Sequence, residues 1–249
     1  MLKIIITLGM ALATSLAAAQ SQENRSTNTF SILEIGGNAD VILVESQTEI
    51  SVVAPTKELL GQVSTRINNG VLSVDYPEKK SRAQVTIGIG TLSRIRVRGN
   101  ATVKFENVTY EGSVALRLSQ NAKVSGNLAV PNLELRAEDR SQVTIQLNSR
   151  TVKGDFSGQS KAAFSGITRS ASFLTSHSAI CHARNLEADD IFADAGEGTE
   201  ITTHVRHSIA MKVESDSKIR FTGNPVKIDV PEQANVSYIA PKNTLLTQK

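Results

Sequence analysis

The sequence predicts an all-β chain wound into a β-solenoid, a parallel β-helix of about eight coils behind a strand-rich N-terminal layer or cap. Three observations carry this. A small–polar–aliphatic unit recurs at even spacing, period-two alternation precedes most copies of the unit, and no helical period is visible after residue 70. "RGNATVKF" (Arg98 to Phe105), "SQNAKVSG" (Ser119 to Gly126) and "EDRSQVTI" (Glu138 to Ile145) show the unit most plainly.

The aliphatic anchors read Val103, Val124, Val143, Ala162, Ile180, Ile201, Ile219 and Val236, at spacings of 21, 19, 19, 18, 21, 18 and 17. Two places earlier stand Ala101, Ala122, Ser141, Ser160, Ser178, Thr199, Ser217 and Ala234. "NADV", with anchor Val41, reads as an isolated further copy. Before the anchors, "VALRL", "LELRA", "IAMKV" and "VKIDV" alternate apolar and polar, which places one face inside and one in water. A unit of some nineteen residues cannot bury its apolar face alone, so each must stack on the next. A β-sandwich also has regular strands, but one motif at one fixed phase favours the solenoid.

The corners follow from the same logic. Gly37, Gly99 and Gly158 stand two places before the small residue, where a tight turn asks for positive φ. Asn38, Asn100, Asn121, Gln159 and Gln233 come next, and stacked amides can bond along the ladder. The small residue points inward, the anchor resumes the core, and Thr102, Lys123, Gln142, Lys161, Glu200 and Lys218 face water. Phe105, Ile145, Phe164, Phe221 and Tyr238 are expected to stack inside.

The front of the chain is less regular. Lys3, the apolar run Ile4 to Leu16 and Ala17-Ala18-Ala19 make residues 1–19 a signal peptide, with the mature chain starting at Gln20. The apolar run is short for a bilayer span, and no other segment is apolar enough for one. Residues 20–29 are polar and expected to fray. Residues 30–90 should form the β layer or cap, with one helical turn after Thr56, a hairpin at Asn69-Gly70 and a charged loop "PEKKSR". Residues 91–242 are the repeats and 243–249 a tail.

The chemistry-bearing residues are sparse. Net charge is +3, and Lys and Arg are scattered along the sequence without a dense cluster, so nucleic acid is not an expected partner. Cys181 is the only cysteine, which excludes an internal disulfide; His177 and His182 lie near it, but no nucleophile motif surrounds them. The densest acidic patch is Glu187 to Asp190 with Asp194, Glu197 and Glu200, read as a solvated edge ahead of a weak cation site or paired catalytic acids. In corner register Glu138 and Asp139 meet Ser157 and Gly158, then Thr175 and Ser176, so acids do not stack there. His204 and His207 form H-x-x-H, but positions three apart on a strand point to opposite faces, which spoils joint ligation. Asn24, Asn107 and Asn235 open Asn-x-Ser/Thr triplets, glycan acceptors only in a glycosylating source. No catalytic, cofactor-binding or metal-binding residue is assigned, and no cofactor is expected.

The order "FSILEIGGNADVILVES…ISVVAP…ELLGQVSTRINNGVLSVDY", followed by the coils, resembles the putative auto-transporter adhesin, head GIN domain family, over about Phe30 to Val236. "GGNADV" and "INNGVLSV" carry the likeness most strongly, while the family's Ser-Gly-Ser-Gly-Asp-Val corners are eroded here to "RGNATV", "SGQSKA" and "SDSKI". The resemblance implies a β-helical fold and export, to the periplasm, the cell surface or the medium. Only "SYIAPKNTLLTQK" follows Val236, so no translocating barrel is expected in this sequence. The expected function is a non-enzymatic envelope or secreted module that binds a glycan or protein surface, or builds one, through a solenoid face. The alternative is a glycan-active β-helix enzyme of the polysaccharide lyase or hydrolase type.

Overall fold

The computed structural model describes residues 20–26, 28–45, 49–214, 216–230 and 235–239. The proposed signal peptide and the residues from 240 onward lie outside the described residues. The front of the chain holds β1 (Ser21–Ser26), β2 (Ile32–Gly37), β3 (Ala39–Val44), β4 (Glu49–Ala54), α1 (Lys57–Gln62), β5 (Ser64–Asn68), β6 (Val71–Tyr76) and β7 (Ala83–Gly88). Then come β8 (Arg94–Val97), β9 (Thr102–Thr109), β10 (Ser113–Leu118) and five long strands: β11 (Lys123–Ala137), β12 (Gln142–Phe156), β13 (Lys161–Thr175), β14 (Ile180–Ala195) and β15 (Glu200–Val213). The short β16 (Lys218–Thr222), β17 (Lys227–Asp229) and β18 (Val236–Tyr238) follow.

The long strands pair in parallel, each with the next, and stack as a β-solenoid of about seven turns. The two strand signals expected in each unit are fused: one strand of 14 to 16 residues bends through a corner without breaking. In β12 the buried residues are Val143, Ile145 and Leu147 before the bend and Val152, Gly154 and Phe156 after it, so the inward phase shifts once at the bend. Identical positions stack: Val143 pairs with Val124 on one side and Ala162 on the other. Val143 is buried and Gln142 exposed, as the repeat requires.

One register expectation is corrected. Ala162 pairs with Cys181 rather than Ile180, so the fifth anchor is Cys181 and its small residue is Ala179, not Ser178. Cys181 and Ala179 are fully buried while Ile180 is half-buried. Ser178-Ala179-Ile180 mimics the motif, and isoleucine looks more like an anchor than cysteine does. The uneven 18 and 21 become 19 and 20 once the slip is removed. A free cysteine packs as a small apolar side chain, which explains the substitution.

The N-terminal copy is not isolated. β3 lies between β7 and β9 and brings Val41 between Val85 and Val103; β2 lies likewise between β6 and β8. The first segment of the chain therefore forms the second layer, and residues 71–88 the outer one. That outer layer is covered by antiparallel partners: β5 on β6, and β4 on β7, with β1 added to β4. An open edge of parallel strands invites aggregation, and this crossover cap closes it. Residues 21–26, expected to fray, are thus a paired strand. α1 is the expected helical turn, with the Thr56 side chain accepting from the Leu59 N–H. Asn69 (φ 48°) and Gly70 (φ 73°) make the β5–β6 hairpin.

The corners take positive φ at Gly37, Gly99 and Gly158, and also at Gln120 and Asp139 in the same place. The non-glycine residues are held by their neighbours: Gln120 Oε1 accepts from Gly99 N at 2.7 Å, and Asp139 Oδ2 from Gln120 N at 2.7 Å. Asn121 Nδ2 donates to Asn100 Oδ1 at 3.1 Å, the expected amide ladder. Inside, Phe105, Ile145, Phe164 and Phe221 are buried, but Phe164 meets Phe156 and Phe173 on the facing wall, at ring centroid separations of 6.1 and 5.5 Å. Tyr238 is half-exposed, as are Ile228 and Val230, and Val226 is 85% exposed, so the alternation of "VKIDV" stays exposed at the last layer, over which the described residues place no further coil.

Candidate anion-binding groove

Three short alternating stretches build the groove. In β8 Ile95 and Val97 point into the core, in β10 Leu116 and Leu118, and in β11 Leu135 and Ala137. The residue between each pair must then point outward, and these are Arg96, Arg117 and Arg136. Register sets them side by side: Arg117 pairs with Arg96 on one side and Arg136 on the other. Arg98, at the corner before Gly99, completes the group around a groove of about 490 Å³. The ladder continues to Glu34 beyond Arg96 and to Asp155 beyond Arg136.

The four guanidinium groups are not equivalent. Arg96 makes a short ion pair with Glu34. Arg136 Nε lies 2.6 Å from Glu138 Oε1 and 3.9 Å from Asp155 Oδ2. Arg98 and Arg117 make no ion pair or side-chain hydrogen bond among the described residues. Gly36 gives Arg98 its room: a Cβ there would stand 3.3 Å from Arg98 Nε and 2.6 Å from Asp75 Oδ1. Like charges directly opposite each other on neighbouring strands are unfavourable. An anion bridging them reverses that sign, because the guanidinium fork matches a carboxylate or phosphate bidentately.

The reading that Arg and Lys form no cluster is therefore corrected. Arg96, Arg117 and Arg136 each stand seven residues before an anchor, so the signal lay at one repeat position and not in any contiguous run.

The acidic patch is organised differently. Arg206 lies 2.6 Å from Asp189 and 3.8 Å from Glu187; Arg220 pairs closely with Glu200; His177 Nε2 is 2.9 Å from Glu197. Ser208 Oγ and His207 Nδ1 lie 2.6 and 3.0 Å from Asp190 Oδ1, and those two hydrogen bonds hold its pKa below the ordinary aspartate value. Most of these carboxylates are thus engaged by a base or hydroxyl from the next coil. Among the described residues no group of three or more His, Cys, Asp or Glu side chains is placed to hold a metal ion. His204 sits against Thr222 at 2.8 Å while His207 meets Asp190. Cys181 is fully buried and burial pushes its thiol pKa far up, the opposite of an activated nucleophile. Glu138 and Asp139 stand beside Ser157 and Gly158, then Ser176 and His177, one place on from the expected Thr175 and Ser176; no acid stacks there either.

Fold and groove together define a class: a capped parallel β-solenoid with a cationic groove on its outer wall. The family comparison makes this specific. The chain belongs to the family described as "Putative auto-transporter adhesin, head GIN domain", whose model matches residues 29–225. A putative adhesin from Parabacteroides distasonis matches with a TM-score of 0.77 at 17% identity, covering 90% of this chain and 98% of that one. A putative lipid binding protein from the same species and a putative adhesin from Parabacteroides merdae each match with a TM-score of 0.68 at 15% identity, covering 91% of this chain and 98% of theirs. At these identities the likeness is one of fold. No curated protein matches the chain. No helix among the described residues is long and apolar enough to cross a membrane.

Proposed function

We propose that the protein is an exported, non-enzymatic binding module of the bacterial envelope, adhesin-like, which holds an anionic group of its partner in the groove formed by Arg96, Arg98, Arg117 and Arg136. The observation that carries the reading is the pair Arg98 and Arg117, two guanidinium groups with no ion pair or side-chain hydrogen bond among the described residues, beside two that have them. On the acidic wall, by contrast, Arg206, His207 and Arg220 pair with carboxylates of the neighbouring coil. Family membership and the described adhesin and lipid-binding relatives support a binding role, and Lys3, the apolar run and the Ala17-Ala18-Ala19 site support export to the periplasm or cell surface.

The test is binding to envelope extracts and to anionic and neutral glycans or lipids, with the double variant Arg98→Ala/Arg117→Ala beside the parent. Anionic ligands should bind the parent, weaken with added salt, and lose at least about tenfold in affinity in the variant. Equal binding by both proteins would remove the groove from the function. N-terminal sequencing of the exported protein should begin at or near Gln20.

A further inference from the structure

The groove is bounded as well as charged. Along its ladder the order is Glu34, Arg96, Arg117, Arg136, Asp155, so the arginine tract is three strands long with a carboxylate at each end. At about 4.8 Å per strand, Arg96 and Arg136 stand only roughly 10 Å apart in the backbone. Glu34 and Glu138 pair with the terminal arginines and Asp155 lies 3.9 Å from Arg136, so the groove's surplus is the two guanidinium groups with no carboxylate partner among the described residues, Arg98 and Arg117. A long polyanion lying along the solenoid would run onto Glu34 on one side and Asp155 on the other. A compact group with two negative charges meets only the surplus.

From this we infer that the ligand group is a compact dianion of the phosphate-monoester kind, and that the flanking carboxylates select against extended polyuronates and other linear polyanions. The inference rests on the reading of the groove as an anion site. Two parallel N–H···O pairs from a guanidinium suit a tetrahedral phosphate, and unpaired guanidinium groups on adjacent strands present two such forks to one phosphate. Charge is what distinguishes the dianion: a phosphate monoester takes up its second charge near pH 6, whereas the arginines keep theirs throughout. Affinity should therefore rise between pH 5 and 7 for a phosphate monoester and stay flat for a monomeric uronate.

Isothermal titration of the full mature chain separates the outcomes. The probes are glucose 6-phosphate, inorganic phosphate, galacturonate, polygalacturonate, and vesicles of phosphatidylcholine with and without phosphatidic acid. The expected result is binding of the phosphate monoester that strengthens severalfold from pH 5 to 7 and falls at least about tenfold in Arg98→Ala/Arg117→Ala, with no gain from galacturonate to its polymer. Preference for phosphatidic acid vesicles would identify a lipid headgroup as the source, and equal binding of inorganic phosphate a free or soluble phosphate; both keep the inference. Polygalacturonate binding the parent tenfold more tightly than the phosphate monoester would overturn it while leaving the anion groove intact. Binding of every probe unaltered by the double variant, or of none, would overturn the groove reading itself. A gain-of-function variant gives a second readout: Glu34→Gln/Asp155→Asn should admit polygalacturonate, and its failure to do so would show that the carboxylates do not set the selectivity.

Discussion

The arginine wall and the acidic wall are built by the same device and end with opposite electrostatics. Each places charges on neighbouring coils at a fixed phase. On the acidic wall Arg206, His207 and Arg220 arrive one coil after Glu187, Asp189, Asp190 and Glu200, and the patch closes on itself. On the arginine wall three coils in succession bring the same sign, and two of the four guanidinium groups stay open. Charge in a solenoid is thus read across the coils. A run of acids along the chain is a poor guide to an anionic surface, and scattered arginines are no argument against a cationic one.

The comparison holds only while both walls hang on one core, and the strongest test breaks that core. Val143→Asp buries a carboxylate without a partner between Val124 and Ala162 and should cost more than about 4 kcal/mol. Gln142→Asp, one residue away on the exposed face, should stay within roughly 0.5 kcal/mol in chemical denaturation. Equal losses would mean the register is shifted, and both walls with it.

Next in size is the coil that carries the acidic wall. Cys181→Ser puts a hydroxyl into a fully buried apolar site and should lower stability by about 1–3 kcal/mol. Ile180→Ser should cost distinctly less, since Ile180 is half-buried. In the folded parent, Cys181 should resist a thiol reagent and react only at the rate of unfolding.

A smaller effect sharpens the contrast in sign. Arg220→Gln removes a partner of Glu200 and should destabilise by no more than about 1 kcal/mol, since both side chains are about a third exposed. Arg117→Gln removes a charge that has like neighbours and no ion-pair partner among the described residues, so without ligand it should be neutral or stabilising by about a few tenths of a kcal/mol. Added salt should shrink both differences. Destabilisation by Arg117→Gln would show that the arginine is structurally paired after all.

The smallest effect is a pH slope. The Ser208 and His207 hydrogen bonds depress the Asp190 pKa in the folded state, so their contribution is present above the ordinary aspartate value of 3.8 and is lost as pH falls through the lowered folded value. Asp190→Asn should flatten the decline of stability as pH falls from 3.8 to the lowered folded value, by well under about 1 kcal/mol for so exposed a group.

Much of this was legible in the residues. The repeat phase set inward and outward positions for most coils, the glycines marked corners at Gly37, Gly99 and Gly158, and Thr56 and Asn69-Gly70 announced the cap's helical turn and hairpin. These features depend on local steric preference and on burial of every second side chain, which neighbours in sequence already specify. The slip at Cys181 shows the limit: where two phases are locally acceptable, only the hydrogen-bond ladder to the coil below selects one. Three other features belong to the tertiary structure alone. The insertion of β2 and β3 between later strands and the meeting of Arg96, Arg117 and Arg136 join residues about 20 or more apart, and the fusion of two strand signals into one bent strand follows from pairing along its length with the coils on either side. Arginine position seven before the anchor was written in the sequence. That Arg117 stays without an ion pair between Arg96 and Arg136 follows from which strand lies next to which, and only stacking decides it.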